Sequence, residues 1–250
     1  MENIESIINR LPAISLKEVN SVGLMNRVDT KFYFHERLLP NILKSIQKDY
    51  SVLEIKGKRL MPYESFYFDT PNFQMFKWHH NGKLNRYKIR KRTYSLTGDT
   101  FLEVKFKSNK GKTIKSRQLY KGVVSDAESF ISNKTPFQWG DLNAVMNNQF
   151  DRIMLVNHSM KERVTIDLNL GFSNGDENYS FLNNLVVLEL KSERNGGTTK
   201  LQKSLKDLRI YPSSFSKFIT GISMHHDGLK MNRFKSRFID VNKVLENKIL

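Results

Sequence analysis

Residues 86–94, RYKIRKRTY, decide the fold of this chain. Successive side chains of a β-strand point to opposite faces, so the even-numbered positions of this stretch share one face. The first four of them are cations, Arg86, Lys88, Arg90 and Arg92, and the fifth is Tyr94. A turn signal at Gly98-Asp99 follows, and residues 101–107 alternate between polar and apolar side chains again. The stretch therefore predicts a β-hairpin over residues 86–107 with a cationic face.

Four stacked cations on one strand face repel each other unless water screens them or an anion lies across them. The first alternative is a solvated edge strand, and the second is a binding surface for a polyanion. Arginine favours the second alternative, because its planar fork matches the oxygens of a phosphate two at a time.

The composition also indicates an anionic partner. Among 250 residues there are 41 Lys and Arg against 25 Asp and Glu, a net charge of +16. Such an excess suits nucleic acid, anionic lipid or a phosphate-rich molecule, although a merely basic soluble protein is the alternative. The absence of cysteine excludes disulfides, thiol catalysis and cysteine-bound metals. No secretory signal and no apolar run of about 18 residues is visible, which favours a cytoplasmic protein.

No repeat or low-complexity linker divides the chain, so residues 1–250 are expected to form a single domain. Periodicity predicts a packing helix within residues 1–20, helices at 36–48 and 198–208, irregular helical structure over 125–150 and a solvated basic tail over 222–250. Strands are predicted at 24–34, 63–69, 113–117, 162–170 and 185–191.

These strands share one design, an apolar face and a face of arginine, lysine and single acids. An antiparallel sheet with one solvated face would show the same alternation. If the sheet instead closes into a barrel, the charged faces turn inward and line a water-filled tunnel. The helices at 36–48 and 198–208 would then cover the apolar outside.

At these positions the sequence resembles the VTC domain of polyphosphate polymerases, a branch of the triphosphate tunnel metalloenzymes. The similarity spreads in order over roughly residues 25–220. It rests on Arg27-x-Asp29-Thr30-Lys31, Tyr67-Phe68-Asp69-Thr70, Arg86-x-x-x-Arg90-x-Arg92-x-Tyr94, Glu103-x-Lys105, Lys115-x-Arg117, Arg163-Val164-Thr165-Ile166-Asp167, Leu188-Glu189-x-Lys191 and Phe215-Ser216-Lys217-Phe218.

The resemblance implies an α+β fold, an antiparallel β-tunnel or barrel of about eight strands with a charged interior and flanking helices. It implies transfer of the terminal phosphoryl group of ATP onto a polyphosphate chain, with Mn²⁺ or Mg²⁺ as cofactor. The catalytic residues would be Lys31, Arg90, Arg92, Lys105 and Arg163. Phosphate and nucleotide would be bound by Arg27, Arg86, Lys115, Arg117, Lys191 and Lys217. The metal would be bound by Glu189, with Glu103 as a further candidate.

One element of the family pattern is not visible in the sequence. Family members carry a tunnel strand with a Tyr-x-Arg element shortly before the Arg-x-Thr-x-Asp strand. Here residues 153–162 contain no such element, and Arg152 lies too early to replace it. A wall strand near residues 152–162 is therefore expected to be missing.

Three other functions remain open. The tunnel could hydrolyse triphosphates, with water as the phosphate acceptor, or it could bind polyphosphate without catalysis. Nucleic acid binding fits the net charge, but no recognition-helix or RNP-like signature supports it. The resemblance also leaves open a separate membrane-protein partner and a position at the inner face of a membrane. The histidine pairs at 79–80 and 225–226 have no metal-binding spacing and are predicted to be surface residues.

Overall fold

The computed structural model describes residues 3–21, 27–175, 178–194 and 197–246, in which strands alternate with short helices. The strands are β1 (Ala13–Ile14), β2 (Arg27–His35), β3 (Tyr50–Leu53), β4 (Met61–Asp69), β5 (Arg86–Tyr94), β6 (Thr100–Lys107), β7 (Thr113–Leu119), β8 (Asn143–Asn157), β9 (Glu162–Ser173), β10 (Ser180–Leu182) and β11 (Leu185–Glu193). The helices are α1 (Ile4–Ile8), α2 (Leu16–Ser21), α3 (Leu39–Ile46), α4 (Gln74–His80), α5 (Val124–Lys134), α6 (Lys200–Asp207), α7 (Lys217–His225) and α8 (Lys235–Leu245).

Eight strands form one continuous antiparallel sheet in the order β2-β11-β9-β8-β4-β5-β6-β7. The sheet curls into a half-barrel with helices around it, which confirms the predicted antiparallel tunnel. Its two end strands, β2 and β7, do not pair with each other within the described ranges. The shorter strands extend the sheet: β3 pairs with β8, β10 pairs with β9, and β1 pairs with β3 in the parallel direction.

The predicted hairpin is present as β5 and β6. The two strands pair with Arg90 opposite Glu103 and with Lys88 opposite Lys105. The predicted strand at 113–117 is β7, which adds Lys115 opposite Lys105. The even positions of β5 therefore share a face with the odd positions of β6 and β7, as the alternation predicted.

Helices α3 and α6 cover the apolar outside of β2, β9 and β11, where the sequence placed them. Ile42 and Ile46 of α3 and Leu205 of α6 are fully buried in one cluster with Leu188 of β11. Helix α6 begins at a capping box, in which Thr199 and Gln202 each bond the other's backbone N–H. Burial of this cluster holds the curved sheet from outside and leaves its opposite face free for charged side chains.

Helix α7 packs on the inner face of the sheet, beside β8 and β9. Its Phe218 ring lies 5.6 Å from the ring of Tyr67 on β4. At Gly221 a Cβ atom would come within 2.8 Å of the side chains of Met146 and Phe172. Only glycine allows the helix to approach the sheet this closely, so α7 occupies part of the interior.

The expected missing wall strand is present, and that prediction was wrong. Strand β8 is 15 residues long and pairs with β4, β9 and β3. The prediction of irregular helical structure holds for α5 but fails from Asn143 onward. Inward and outward side chains do not alternate regularly along β8, because its register against β9 shifts between Gln149 and Asp151. Such a β-bulge changes which positions face inward, so the strand does not show the simple alternation of polar and apolar residues by which strands are predicted from sequence.

Both ends of the chain differ from the prediction. The sequence predicted one helix within residues 1–20, but the structure has two short helices there, separated by β1. The strand predicted at 24–34 is described from Arg27 onward, because residues 24–26 lie outside the described ranges. The basic tail is helical instead of solvated, because Phe234, Val241 and Val244 are buried against the core. Within the described ranges no helix combines the length and the apolar character that crossing a membrane requires.

Candidate functional site

The inward face of the sheet carries three clusters, each built around a carboxylate. The first surrounds Glu103 of β6, whose side chain is 2% exposed. Arg90 Nε donates to Glu103 Oε2 at 2.7 Å, and Lys115 Nζ lies 2.8 Å from Oε1. Burial opposes ionisation of Glu103, but the charges of Arg90, Arg92 and Lys115 outweigh it and lower its pKa to about 2. The predicted residues Arg90 and Lys115 are thus brought together by one acid.

The second cluster surrounds Asp167 of β9. Arg152 of β8 forms a bidentate pair with this carboxylate, at 2.6 Å through Nε and 2.8 Å through Nη2. Lys217 at the start of α7 contacts Oδ2 of the same carboxylate, which also accepts from Arg152 Nη2. Despite burial, the charges of Arg152 and Lys217 hold the pKa of Asp167 well below its ordinary value.

The sequence predicted that Arg152 lies too early to replace the Tyr-x-Arg element of the family, and the structure shows that this prediction was wrong. Phe150-x-Arg152 supplies an aromatic-x-Arg element, and β8 places it directly against the Arg163-x-Thr165-x-Asp167 strand. The Phe150 ring stacks on Tyr63 at 5.3 Å, and the Arg152 guanidinium lies 5.0 Å from each of these two rings. Phenylalanine in place of tyrosine, together with the bulge, concealed the element in the sequence.

The third cluster links β2 and β11. Lys31 Nζ lies 2.6 Å from Glu189 Oε2, and Lys191 contacts Glu189 and also lies 3.4 Å from Asp29 Oδ2. Burial is the main cause that lowers the pKa of Lys191 to about 8. Glu189, the predicted metal ligand, is therefore ion-paired with both Lys31 and Lys191.

Between these clusters lie cations that have no carboxylate partner in the described part of the chain. Lys88 donates to Ser216 Oγ at 3.0 Å, and Arg92 donates to Ser65 Oγ at 3.0 Å. Lys105 stands opposite Lys88 in the hairpin. Burial and the neighbouring cations lower the pKa of Lys88 to about 7 and that of Arg92 to about 10. These groups provide uncompensated positive charge inside the sheet, which an anion would neutralise.

A cavity of about 390 Å³ is lined by both aromatic and basic side chains. Its aromatic residues are Tyr63, Tyr94 and Phe101, and Arg92 and Arg117 lie over the rings of Tyr63 and Phe101. Five predicted site residues line the cavity, namely Arg92, Lys115, Arg117, Arg163 and Lys191. A ligand with a flat apolar part and a phosphate tail fits this lining.

Two of the residues predicted to bind phosphate or nucleotide, Arg27 and Arg86, lie at the edge of the charged inner face. Arg27 pairs with Asp29 at 3.1 Å and is 42% exposed. Arg86 donates to the carbonyl of Lys83 at 2.9 Å, at the far end of the hairpin. The histidines were predicted to be surface residues, but His225 and His226 are half-buried and bond the backbone carbonyls of Phe172 and Val145.

The carboxylates fit a metal only together with a ligand. Within the described ranges no three His, Asp or Glu side chains are arranged to hold a metal ion by themselves. Magnesium and similar ions, however, are often held by one or two carboxylates and the oxygens of a bound phosphate. Glu189 and Asp29 share the ammonium group of Lys191, so they lie close enough together to hold such an ion with a bound phosphate.

The comparison of the sequence with protein families agrees with this geometry. The family model of the VTC domain matches residues 26–226, well over half of the chain. The chain belongs to the VTC domain family. All three acid-centred clusters and the uncompensated cations fall within the matched residues. The resemblance identified from the motifs is therefore confirmed, and membership supports a tunnel protein that handles phosphate compounds.

Solved structures are similar to this VTC domain protein at low sequence identity. A candidate adenylyl cyclase from Hippeastrum, described as having a dominant triphosphatase activity, is 13% identical with a TM-score of 0.52, over 82% of this chain and 99% of that chain. A candidate adenylate cyclase from Vibrio parahaemolyticus is 13% identical with a TM-score of 0.45, over 78% and 97%. No curated protein matches the sequence.

Proposed function

We propose that this protein transfers the terminal phosphoryl group of a nucleoside triphosphate, ATP in the first place, onto a polyphosphate chain inside the tunnel. The observation that carries the proposal is the unbroken row of cations along β5. From Arg86 to Arg92 the inward positions span about 20 Å, at roughly 3.3 Å per residue. This length exceeds what three phosphates need and suits a nucleotide triphosphate together with an acceptor chain.

The residues of the cavity support contacts with both the nucleoside and the phosphates. Tyr94 and Phe101 would hold the nucleoside, and the cations of the same cavity would hold the phosphates. Arg90 and Arg92 of β5, Lys31, Lys105 and Arg163 would neutralise charge on the transferring group. Phosphoryl transfer depends mainly on positioning and charge neutralisation, so this chemistry needs no covalent nucleophile.

Glu189, with Asp29 beside it, would hold Mn²⁺ or Mg²⁺ against the phosphates. The ion would supply further charge neutralisation on the phosphate oxygens. Lys31 and Lys191 would then turn from Glu189 toward the phosphates, which gives them a phosphate-binding role when ligand is present. Glu103, the second candidate ligand, is already enclosed by Arg90 and Lys115 and would instead orient these two cations.

The test is incubation of the full chain with ATP and either Mn²⁺ or Mg²⁺, followed by gel analysis of polyphosphate and measurement of ADP. We expect a ladder of chain lengths with equimolar ADP. Lys105→Met should abolish the ladder, whereas Lys91→Met should preserve it, since Lys91 lies on the outer face over the Phe66 ring. Binding of polyphosphate with no ADP formation would contradict the proposal and identify a binding module.

A triphosphatase is the second candidate, and the position of α7 favours it. Because α7 fills the interior beside β8 and β9, the space for a long acceptor chain is restricted on that side. Release of orthophosphate in equal amount to ADP, without polymer, would identify this activity in the same experiment.

A further inference from the structure

Residues 213–217, here called the crossing segment, pass across the inside of the curled sheet. The segment begins at the free edge of β2, where Ser213 N donates to the Lys31 carbonyl at 2.8 Å. It then contacts β5, where Lys88 Nζ donates to Ser216 Oγ. It ends at β9, where Lys217 pairs with Asp167. Five residues thus tie together three separate strands of the tunnel wall.

Lys88 is the wall residue that meets the middle of this segment. Its ammonium group has Ser216 as hydrogen-bond partner and lies 5.5 Å from the Phe218 ring centroid. The largest charge effects on it come from cations: Lys105 of β6, Arg86 and Arg90 of β5, and Lys31 of β2. An ammonium group held among four cations is unfavourable in the absence of an anion.

The partner of Lys88 is itself fixed. Ser216 is the N-cap of α7, and its hydroxyl oxygen accepts from the backbone N–H of Ile219 at 3.3 Å. The nearby Ser213 hydroxyl is buried and has no hydrogen-bond partner in the described residues. The crossing segment therefore carries two serine hydroxyls, one of which contacts the Lys88 ammonium group of β5, and all three groups are able to bind an anion.

We propose that Lys88 binds a phosphate of the tunnel ligand at the crossing segment, and that Ser216 is the positioning residue that holds its ammonium group toward that phosphate. This inference rests on the proposed function in one respect, namely that the tunnel ligand is a phosphate anion. It adds a subsite that the family motifs do not define, since Lys88 is an unspecified position of the Arg86-x-x-x-Arg90 motif and its bond to Ser216 joins two separate motifs.

The alternative is a structural role, in which Lys88 only ties β5 to α7. The two roles predict opposite effects on the free protein. A structural tie lost in Lys88→Met would lower the unfolding temperature. Removal of one cation from a repelling cluster would leave that temperature unchanged or raise it, while binding of the anion would weaken.

The experiment measures binding of inorganic triphosphate to the full chain by titration calorimetry, together with thermal unfolding of each variant. Lys88→Met should weaken binding about tenfold or more, because a charge-assisted hydrogen bond to phosphate is lost. Lys88→Arg keeps the charge and should recover part of the affinity. Ser216→Ala should weaken binding to a smaller extent, because Lys88 is retained but not held.

The matched control is Lys91→Met, on the same strand and with the same loss of charge, but on the outer face. We expect this variant to bind triphosphate within about twofold of the wild type, because a screened surface charge contributes little. Equal binding by folded Lys88→Met and Lys91→Met would overturn the proposal. A lower unfolding temperature of Lys88→Met with unchanged affinity would establish the structural role instead.

A second readout is proton uptake. The groups that face Lys88 are Lys105, Arg86, Arg90, Lys31, Ser216 and the Phe218 ring, and His79 of α4 also lies within reach of its charge. Because burial and the surrounding cations lower the pKa of Lys88 to about 7, an anion bound there should draw a proton onto it, and affinity should fall as the pH rises from 6.5 to 8. Calorimetry in buffers of different ionisation enthalpy should show proton uptake by wild type that is smaller in Lys88→Met and Lys88→Arg.

The outcomes separate this inference from the proposed function. Triphosphate binding that depends on Lys88, without polymer or ADP from ATP, would refute the polymerase and leave the subsite standing. Polymer formation that Lys88→Met leaves intact, with unchanged triphosphate affinity, would refute the subsite alone. A wild-type chain that binds no triphosphate would refute both.

Discussion

The two halves of the tunnel wall carry their charges differently. In the cationic wall, strands β5 to β7, eight cations share the inward face with one acid, Glu103. In the paired wall, strands β2, β8, β9 and β11, three inward acids each contact two cations. Asp29 contacts Arg27 and Lys191, Asp167 contacts Arg152 and Lys217, and Glu189 contacts Lys31 and Lys191.

The difference indicates that the two walls of the sheet contribute differently to stability and to ligand binding. The acids of the paired wall neutralise charge inside the protein, so we expect its ion pairs to contribute to stability and shape in addition to the proposed roles of Lys31, Arg163 and Glu189. Most cations of the cationic wall have no acid partner among the described residues, so we expect them to contribute mainly to binding and catalysis. The first two predictions test this separation directly, and the other two concern the acid that is exceptional in each wall.

The largest effect is expected from the paired wall. Asp167→Ala leaves Arg152 and Lys217 buried without their shared carboxylate, which should lower the free energy of unfolding by about 3–5 kcal/mol. Urea unfolding measures this loss. The control is Asp151→Ala, since Asp151 accepts from Asn169 at 2.8 Å on the exposed side of the same strand pair and should cost about 1 kcal/mol. Equal losses in both variants would contradict the assignment of Asp167 to a structural cluster.

The next effect belongs to the cationic wall. Arg92→Met removes a buried guanidinium that has a serine but no carboxylate partner. Because no buried acid is left behind, unfolding free energy should change by only about 1 kcal/mol. Turnover should fall by about 10²–10³-fold, as for other lost transition-state contacts. The measurement is kcat for ADP release. If Arg92→Met loses stability but keeps its kcat, Arg92 has a structural role and the assignment of the cationic wall to ligand binding is wrong.

The acid of the cationic wall gives a pH dependence. The pKa of Glu103 is lowered to about 2 in the folded protein, against about 4.3 in an unfolded chain. Its ionised form therefore contributes stability that is complete above about pH 4.3 and is lost as the pH falls toward 2, up to about 2–3 kcal/mol. Urea unfolding between pH 6 and pH 3 measures this contribution. Glu103→Gln should flatten the profile over this range, and an unchanged slope would contradict the assignment.

The smallest effect concerns the proposed metal ligand on the paired wall. Glu189→Gln keeps the side-chain shape but removes the negative charge, so the Mn²⁺ concentration for half-maximal activity should rise about tenfold. Glu193→Gln at the exposed end of the same strand is the control and should leave this concentration unchanged. Identical metal titration curves for wild type and Glu189→Gln would exclude Glu189 as the ligand.

The cationic wall was predictable because its pattern is local. In a hairpin, alternation fixes the faces and the turn fixes the register, so the opposition of Arg90 and Glu103 follows from adjacent residues. The apolar stripe of α3 was equally local. Family motifs then connected these pieces to strands far away in the chain, which periodicity alone does not do.

The paired wall was only partly predictable. The register shift in β8 disguised Arg152, and phenylalanine at position 150 replaced the expected tyrosine. The bond between Lys88 and Ser216 joins residues 128 positions apart, and no local pattern encodes such a contact. Lys88 itself was visible as one of four stacked cations, but its distinct surroundings depend on the crossing segment.

The crossing segment also has a consequence for the order of events during synthesis. Residues 213–217 enter the curl after all eleven strands in the chain, so the sheet can pair before its interior is complete. Contacts of such long sequence separation form late, since loop closure opposes them. A nascent chain that ends before Ser216 lacks both the hydroxyl that Lys88 contacts and the ammonium group that contacts Asp167. The proposed phosphate subsite at Lys88 is therefore completed only after all eleven strands have been made.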